Sequence, residues 1–191
     1  MLPGNVKSTI AVPGRYIPPD DRVTLRLIDY ELGGIALNDP SQGLKVQRWT
    51  LTYENNTNVL CTPQSGEATV LFSTSGITEL SLAFDQNMRP HVAYQKDGNV
   101  RLWWWDSTED DMVDTNFGAG RSPRLALDDK RPTQISTSDI IFAYIQGGEL
   151  RYRQQRDRFQ TERVLRTGIS TQTRLKNIGM TRNWRMQFEL V

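Results

Sequence analysis

Residues 82–105 read LAFDQNMRPHVAYQKDGNVRLWWW, and the phrases of this stretch return later in the chain. Leu82-Ala83-Phe84-Asp85 comes back as Leu125-Ala126-Leu127-Asp128, and Arg89-Pro90 as Arg131-Pro132. Ala93-Tyr94 comes back as Ala143-Tyr144, and Gly98-x-Val100-Arg101-Leu102 as Gly148-x-Leu150-Arg151-Tyr152. The offset is 43 and 42 residues for the first two pairs and 50 for the last two, so eight residues are inserted within 133–142. A period of roughly 40–50 residues built from short strands is the signature of propeller blades or stacked sheets.

Working outward, each copy holds two apolar runs around a tight-turn signal. Lys96-Asp97-Gly98 separates Val92–Gln95 from Asn99–Trp105, and Gly147-Gly148 separates Ile140–Gln146 from Glu149–Gln154. Asp-Gly and Gly-Gly tolerate the positive φ of a primed hairpin turn. Leu80–Phe84 and Leu125–Leu127 read as strands leading into these hairpins, and Met112–Phe117 and Phe159–Leu165 as strands leaving them. Glu162–Arg166 also fits a helical turn. Upstream, Val23–Tyr30, Ile35–Leu37, Leu44–Tyr53, Val59–Thr62 and Ala68–Phe72 alternate or run apolar between clusters of Gly, Pro, Asn and Ser. Downstream, Trp184–Leu190 follows a turn at 181–183. The spacing predicts about twelve to fifteen short strands and an all-β fold.

The organisation expected is an extended N-terminal arm over 1–21, rich in proline, and an all-β repeat domain over 22–191. The domain divides into blade-like antiparallel units at about 33–75, 76–117 and 118–167, with a C-terminal strand segment at 168–191. Closed propellers typically take four to eight blades. Two to three units therefore imply either a partial further blade or an open stack. Open sheet edges invite other chains, so the edges are expected to be covered by the arm, by the C-terminal strand or by another subunit.

Composition excludes several classes. The chain is 37% hydrophobic and 24% charged, with a net charge of +1. That balance argues against a general grip on nucleic acid, which needs a basic excess. The single cysteine, Cys61, allows no internal disulfide, and its apolar neighbours mark it as a small buried hydrophobe. Residues 1–14 lack an apolar core of signal-peptide length, and no segment approaches 18 apolar residues, so membrane insertion is not expected.

No constellation for catalysis stands out, and no enzyme activity or cofactor is expected. There is one histidine, His91, so a Cys-His pair or a zinc site lacks ligands of the usual types. Asp85 and Asp128 occupy equivalent repeat positions and are the one pair that a glycosidase reading would use. Their recurrence favours a structural role, since a turn-capping Asp repeats with the blade and an active site does not. Gly33-Gly34, Gly118-x-Gly120 and Gly147-Gly148 read as turns, not phosphate cradles.

The surface candidates are of another kind. In Trp103-Trp104-Trp105, Trp104 points to one face of the strand and Trp103 and Trp105 to the other. Packing on both faces is the expectation, with a subunit interface or a glycan platform as the alternatives. Arginines crowd the last third, including Arg151, Arg153, Arg156 and Arg158, opposite acidic residues Asp110, Asp111, Asp114, Asp128 and Asp129. A solvated face is the plain reading. Complementary patches would also suit head-to-tail subunits. Tyr16 and Ile17 give the arm apolar anchors. The candidate interface residues are thus Tyr16, Ile17, Trp103, Trp105, Arg151, Arg153, Arg156 and Arg158.

The phrases GGIALNDPSQGL with VQRWTLTY, ITELSLAFDQNMRPHVAY, GRSPRLALDDKRP, SDIIFAY, QRDRFQTERVL and IGMTRNWRMQFEL resemble tail-associated structural proteins of tailed bacteriophages, most of all the short-tailed kind. The resemblance spans roughly residues 30–191 and leaves the arm outside. It implies a virion component of the tail, a ring or nozzle part or an attached decoration, made in the host cytoplasm. The partners it implies are other tail proteins and copies of the chain. A carbohydrate-binding tail module touching the host surface is the alternative. It carries over no catalytic residue.

Overall fold

The tight turns come first, because they decide how the strands meet. Asp97 and Gly98 adopt φ of 51° and 72°, and Gly147 and Gly148 adopt 58° and 76°. Both central residues in the left-handed region make the primed turn whose twist matches that of flanking strands. The computed structural model describes residues 34–39, 45–63, 66–85, 87, 89–128, 139–180 and 185–191, with side chains from Trp49 onward. The arm with Tyr16 and Ile17, the strand expected at Val23–Tyr30, residues 129–138, where part of the insertion expected within 133–142 falls, and the turn at 181–183 lie outside the described residues.

The protein is all-β, with antiparallel sheets of two to four strands. The first sheet is β1 (Gly34–Asp39), β2 (Lys45–Glu54), β3 (Asn58–Pro63) and β4 (Thr69–Ser73). The second is β5 (Ile77–Phe84), β6 (Pro90–Lys96), β7 (Asn99–Asp106) and β8 (Asp111–Ala119). The third is β9 (Arg121–Leu127), β10 (Ile140–Gln146), β11 (Glu149–Gln154) and β12 (Arg163–Arg166). A two-stranded sheet follows, β13 (Leu175–Met180) with β14 (Met186–Leu190).

In each sheet the strands are ordered as in the chain, and the first strand is the inner one. β1 packs on β5, β5 on β9, and β9 on β13. Among the described residues this succession does not return from β13 to β1, and the array is not closed. Burial falls from the inside outward. β5 and β9 are almost wholly buried, whereas the outer strands β4, β8 and β12 are half-buried or exposed.

Two cores fill the gaps between sheets. One joins the first three sheets through Leu51, Val59, Leu82, Val92, Leu102, Phe142 and Tyr144. The other joins the third and fourth through Ile141, Ala143, Ile145, Ile169, Leu175 and Ile178. β10 contributes alternate residues to both, which is why Ile140–Ile145 is an unbroken apolar run. A strand covered on both faces has no polar side to alternate with.

Several local readings are corrected. The polar stretch Asp106–Asp111 reads as a loop in sequence, but Asp106 ends β7 and Asp111 begins β8, so the loop is confined to residues 107–110. Gly118, read as a turn, lies inside β8, and Gly120 alone connects β8 to β9. A Cβ at Gly120 would lie 3.1 Å from the Ile145 carbonyl oxygen and 3.2 Å from the Val100 methyls. Phe159–Leu165 is not one strand. Gln155–Asp157 is a 3₁₀ turn and β12 begins only at Arg163. Arg158 and Phe159 take φ of 58° and 57°, which drops the Phe159 ring into the core against Trp104. Glu162–Arg166 is extended, not helical, because β12 pairs with β11.

Candidate functional site

Trp105, Arg156 and Arg158 sit where the second and third sheets meet, Arg151 and Arg153 lie on β11, and Trp103 faces the first sheet. The antiparallel registers bring Asp85, Arg89, His91, Trp105 and Asp106 to one end of the second sheet. Asp128, Asp139, Arg156 and Arg158 occupy the same end of the third. The Asp85 carboxylate accepts backbone N–H groups from Asn87 and Arg89 at 2.8 and 2.9 Å. That is a turn cap. Asp128 is buried and receives the Arg156 guanidinium, which also reaches Asp139 at 3.2 Å.

His91 is fully buried between these sheets. Its Nδ1–H donates to the Arg89 carbonyl at 3.1 Å, and Nε2 faces the Trp105 N–H and the Gln155 side-chain amide, each at 3.4 Å. Those partners assign the neutral tautomer with the proton on Nδ1. Burial brings the imidazole pKa down to about 4, with the nearby Asp85 charge opposing it. Across the same seam Arg158 makes a two-point contact to Asp106, Nε to Oδ1 at 3.1 Å and Nη2 to Oδ2 at 2.5 Å. The Arg158 hydrogen bond holds the Asp106 carboxyl below the usual range.

Trp103 and Trp105 are half-buried and Trp104 is buried. Trp103 packs on Phe72 of the first sheet with centroids 5.1 Å apart, and Arg89 lies 3.9 Å over the Trp105 ring. Trp104 faces the other way, edge-on to Phe159, and its indole N–H donates to Thr115. The triplet is therefore packed on both faces of β7. Phe72 covers one face of Trp103 and Arg89 one face of Trp105.

Arg151 and Arg153 lie elsewhere, on the outer half of the third sheet. Both converge on Glu162, and Arg151 also pairs with Glu149 at 2.7 Å. Arg153 donates to the Tyr144 hydroxyl at 2.9 Å, and that hydroxyl donates to Glu162. Glu162 is held below the usual carboxylate range. Burial opposes this, but the Tyr144 hydroxyl and the two guanidiniums outweigh it. The second sheet repeats the arrangement. Tyr94 donates to Asp114, and Arg101 contacts both. Of the arginines and aspartates read as a solvated face or as complementary patches, Arg156 and Asp128 pair within one chain. Arg101 takes Asp114, Arg156 takes Asp128 and Arg158 takes Asp106. The physical reason is register: strand pairing places these side chains side by side.

One buried cluster was not anticipated. Glu79 of β5 accepts from Arg124 of β9 at 3.0 Å and from Arg174 at 3.1 Å, and Arg124 also donates to the Lys176 carbonyl of β13. Asn177 and Lys176 contact Glu189 in the fourth sheet. The inner strands are thus tied by charge as well as by apolar packing. The signal was available, since Glu79 and Arg124 interrupt strands otherwise rich in buried residues.

Among the described residues no group of three or more His, Cys, Asp or Glu is placed to hold a metal ion. Burial pushes the Cys61 thiol up to about 12, so it stays protonated and unreactive at neutral pH. No helix among the described residues is long and apolar enough to cross a membrane. No family model, curated protein or solved structure matches the chain.

Proposed function

We propose that the protein is a structural component of a bacteriophage tail, a ring or nozzle part or a decoration attached to it, and that it acts by assembling with copies of itself and other tail proteins. The observation that carries this reading is the open end of the array. Three sheets have four strands each, and the fourth has two, with β14 paired only to β13 among the described residues. An open strand edge is a template for another chain. The resemblance of the repeat phrases to tail proteins supplies the setting. The polar side chains of the rim, tied to one another, supply rigidity to present that edge.

The test is whether the chain is part of the particle. Mass spectrometry of purified virions of the phage that encodes it is expected to find it at a fixed copy number. Deleting residues 1–21 is expected to leave a folded domain that no longer joins particles. Absence from the virion, or normal incorporation of the truncated chain, would contradict the reading and the arm's role respectively.

A further inference from the structure

The outer strands of the second and third sheets carry one pattern in opposite charge. β8 begins Asp111-Met112-Val113-Asp114, and β12 is Arg163-Val164-Leu165-Arg166. Acid, apolar, apolar, acid stands on one edge, and base, apolar, apolar, base on the other. The outer strand of the first sheet, Thr69–Ser73, carries no charge, so an outer strand does not need these residues in order to form.

Both patterns face water. Asp111 and Asp114 are exposed on β8, as are Arg163, Val164 and Arg166 on β12. Val164, a large aliphatic, is 50% exposed. β8 ends the second sheet and β12 the third, so among the described residues each has one side with no strand beside it. On β8 the Met112 N–H donates to the Asp111 carboxylate at 2.7 Å. A backbone donor bonded to its neighbour's side chain is turned away from β7. Alternate residues of a paired strand send their backbone groups to the same side, so those of Asp114 and Asn116 turn outward as well. Such an edge is a template for another strand. Some of the charge is shared with neighbours in the same chain. Asp114 pairs with Arg101 at 2.8 Å and its side chain is 37% exposed, and Arg163 lies 3.7 Å from Asp157.

We infer that β8 of one copy pairs edge to edge with β12 of another, so that the second sheet of one subunit continues into the third sheet of its neighbour. The inference rests on the assembly reading above and names the surfaces that meet. A second copy of this chain is the occupant of each edge, because the chain carries both halves of the complementary pattern. Apolar residues meet at the centre and opposite charges at both ends, and oppositely charged cross-strand pairs hold the register. Antiparallel pairing sets Asp111 against Arg166 and Asp114 against Arg163. Parallel pairing sets Asp111 against Arg163 and Asp114 against Arg166. Two β8 edges would set acid on acid and two β12 edges base on base, so the contact is head-to-tail. Such contacts close into a ring when the rotation per subunit divides a full turn.

The test uses full-length chains and native mass measured across concentrations. Asp111→Lys and Arg166→Glu, each alone, set like charges across the contact. Each is expected to weaken self-association by about tenfold, with an unchanged β-sheet circular dichroism spectrum. Asp111→Lys with Arg166→Glu in one chain restores opposite charges across antiparallel strands, and Asp111→Lys with Arg163→Glu does so across parallel ones. One of these two double variants is expected to recover the natural multimer, and recovery excludes misfolding as the cause of the loss. Multimers left unweakened by both single variants, or restored by neither double variant, would overturn the edge pairing and leave assembly through another surface standing. Charges that serve only to keep the edges apart give this overturning result. A natural chain that is monomeric at every concentration would overturn the assembly reading along with the edge pairing. Loss and recovery in purified chains, with no chain found in virions, would overturn the tail setting alone.

Discussion

The Tyr94 hydroxyl donates to the Asp114 carboxylate at 2.7 Å, reaching from β6 over β7 to β8. Arg101, directly opposite Tyr94 in the β6–β7 register, contacts both. Tyr144, Arg151, Arg153 and Glu162 repeat the arrangement in the third sheet. Burial and the neighbouring carboxylate raise the pKa of both phenols, that of Tyr144 to about 12, so each remains a donor. The outer strands bury little apolar surface, and this polar lock stands in for it.

Replacing Tyr94 or Tyr144 with Phe removes one hydroxyl and leaves the arginine–carboxylate pair. Each change is expected to cost about 1 kcal/mol, or a drop in Tm of roughly 2–4 °C for a chain of this size. Thermal unfolding followed by circular dichroism measures it. No change in either variant would mean that the lock is ornamental.

Glu79 holds the buried Arg124 and the half-exposed Arg174 at the junction of the inner strands. Glu79→Ala takes the Glu79 carboxylate away from the buried Arg124 guanidinium and is expected to destabilise by about 3–5 kcal/mol. Glu79→Leu combined with Arg124→Met is expected to recover most of that loss, since an apolar pair leaves no buried charge behind. Urea midpoints of the three proteins compare them directly.

Gly120 is the whole connection between the second and third sheets. Gly120→Ala places a methyl against the Ile145 carbonyl and Val100, and neither can move without shifting a buried strand. A loss of about 1–3 kcal/mol is expected from overpacking, read from the urea midpoint. Gly147→Ala is a useful contrast, because nothing lies within 4 Å of its Cβ and only its positive φ resists substitution.

His91 makes stability depend on pH. Its pKa is about 4 in the folded protein and near 6.5 when unfolded. Between those values the unfolded chain binds more protons, so stability rises with pH across this window. Its contribution is fully present above about pH 6.5 and is lost as pH falls toward 4, by up to about 3 kcal/mol. Asp106 and Glu162, whose carboxyls are held low, lose their contribution at still lower pH. Urea midpoints at pH 7, 5.5 and 4.5 are expected to fall in the natural chain and to flatten in His91→Gln.

The repeat made the fold legible. Its phrases hold Tyr94 and Arg101, two of the three residues of the first lock, and Tyr144 and Arg151, two of the four of the second. The carboxylates were hidden because Asp114 and Glu162 sit at different distances from them. A 3₁₀ turn and the left-handed pair Arg158–Phe159 break the spacing in the third sheet. Trp103-Trp104-Trp105 was readable as packing on two faces by strand alternation alone. The arginines were not. Composition shows how many there are, but only strand register shows that Asp106, Asp114, Asp128 and Glu162 already stand beside them. Glu79 and Arg124 are 45 residues apart in sequence, and no local pattern joins them.

The central claim is that the chain assembles with itself. Light scattering or native mass spectrometry of the purified full-length protein across a range of concentrations tests it most directly. A discrete multiple of the 21.9 kDa subunit is the predicted result. A single 21.9 kDa species at every concentration would contradict it.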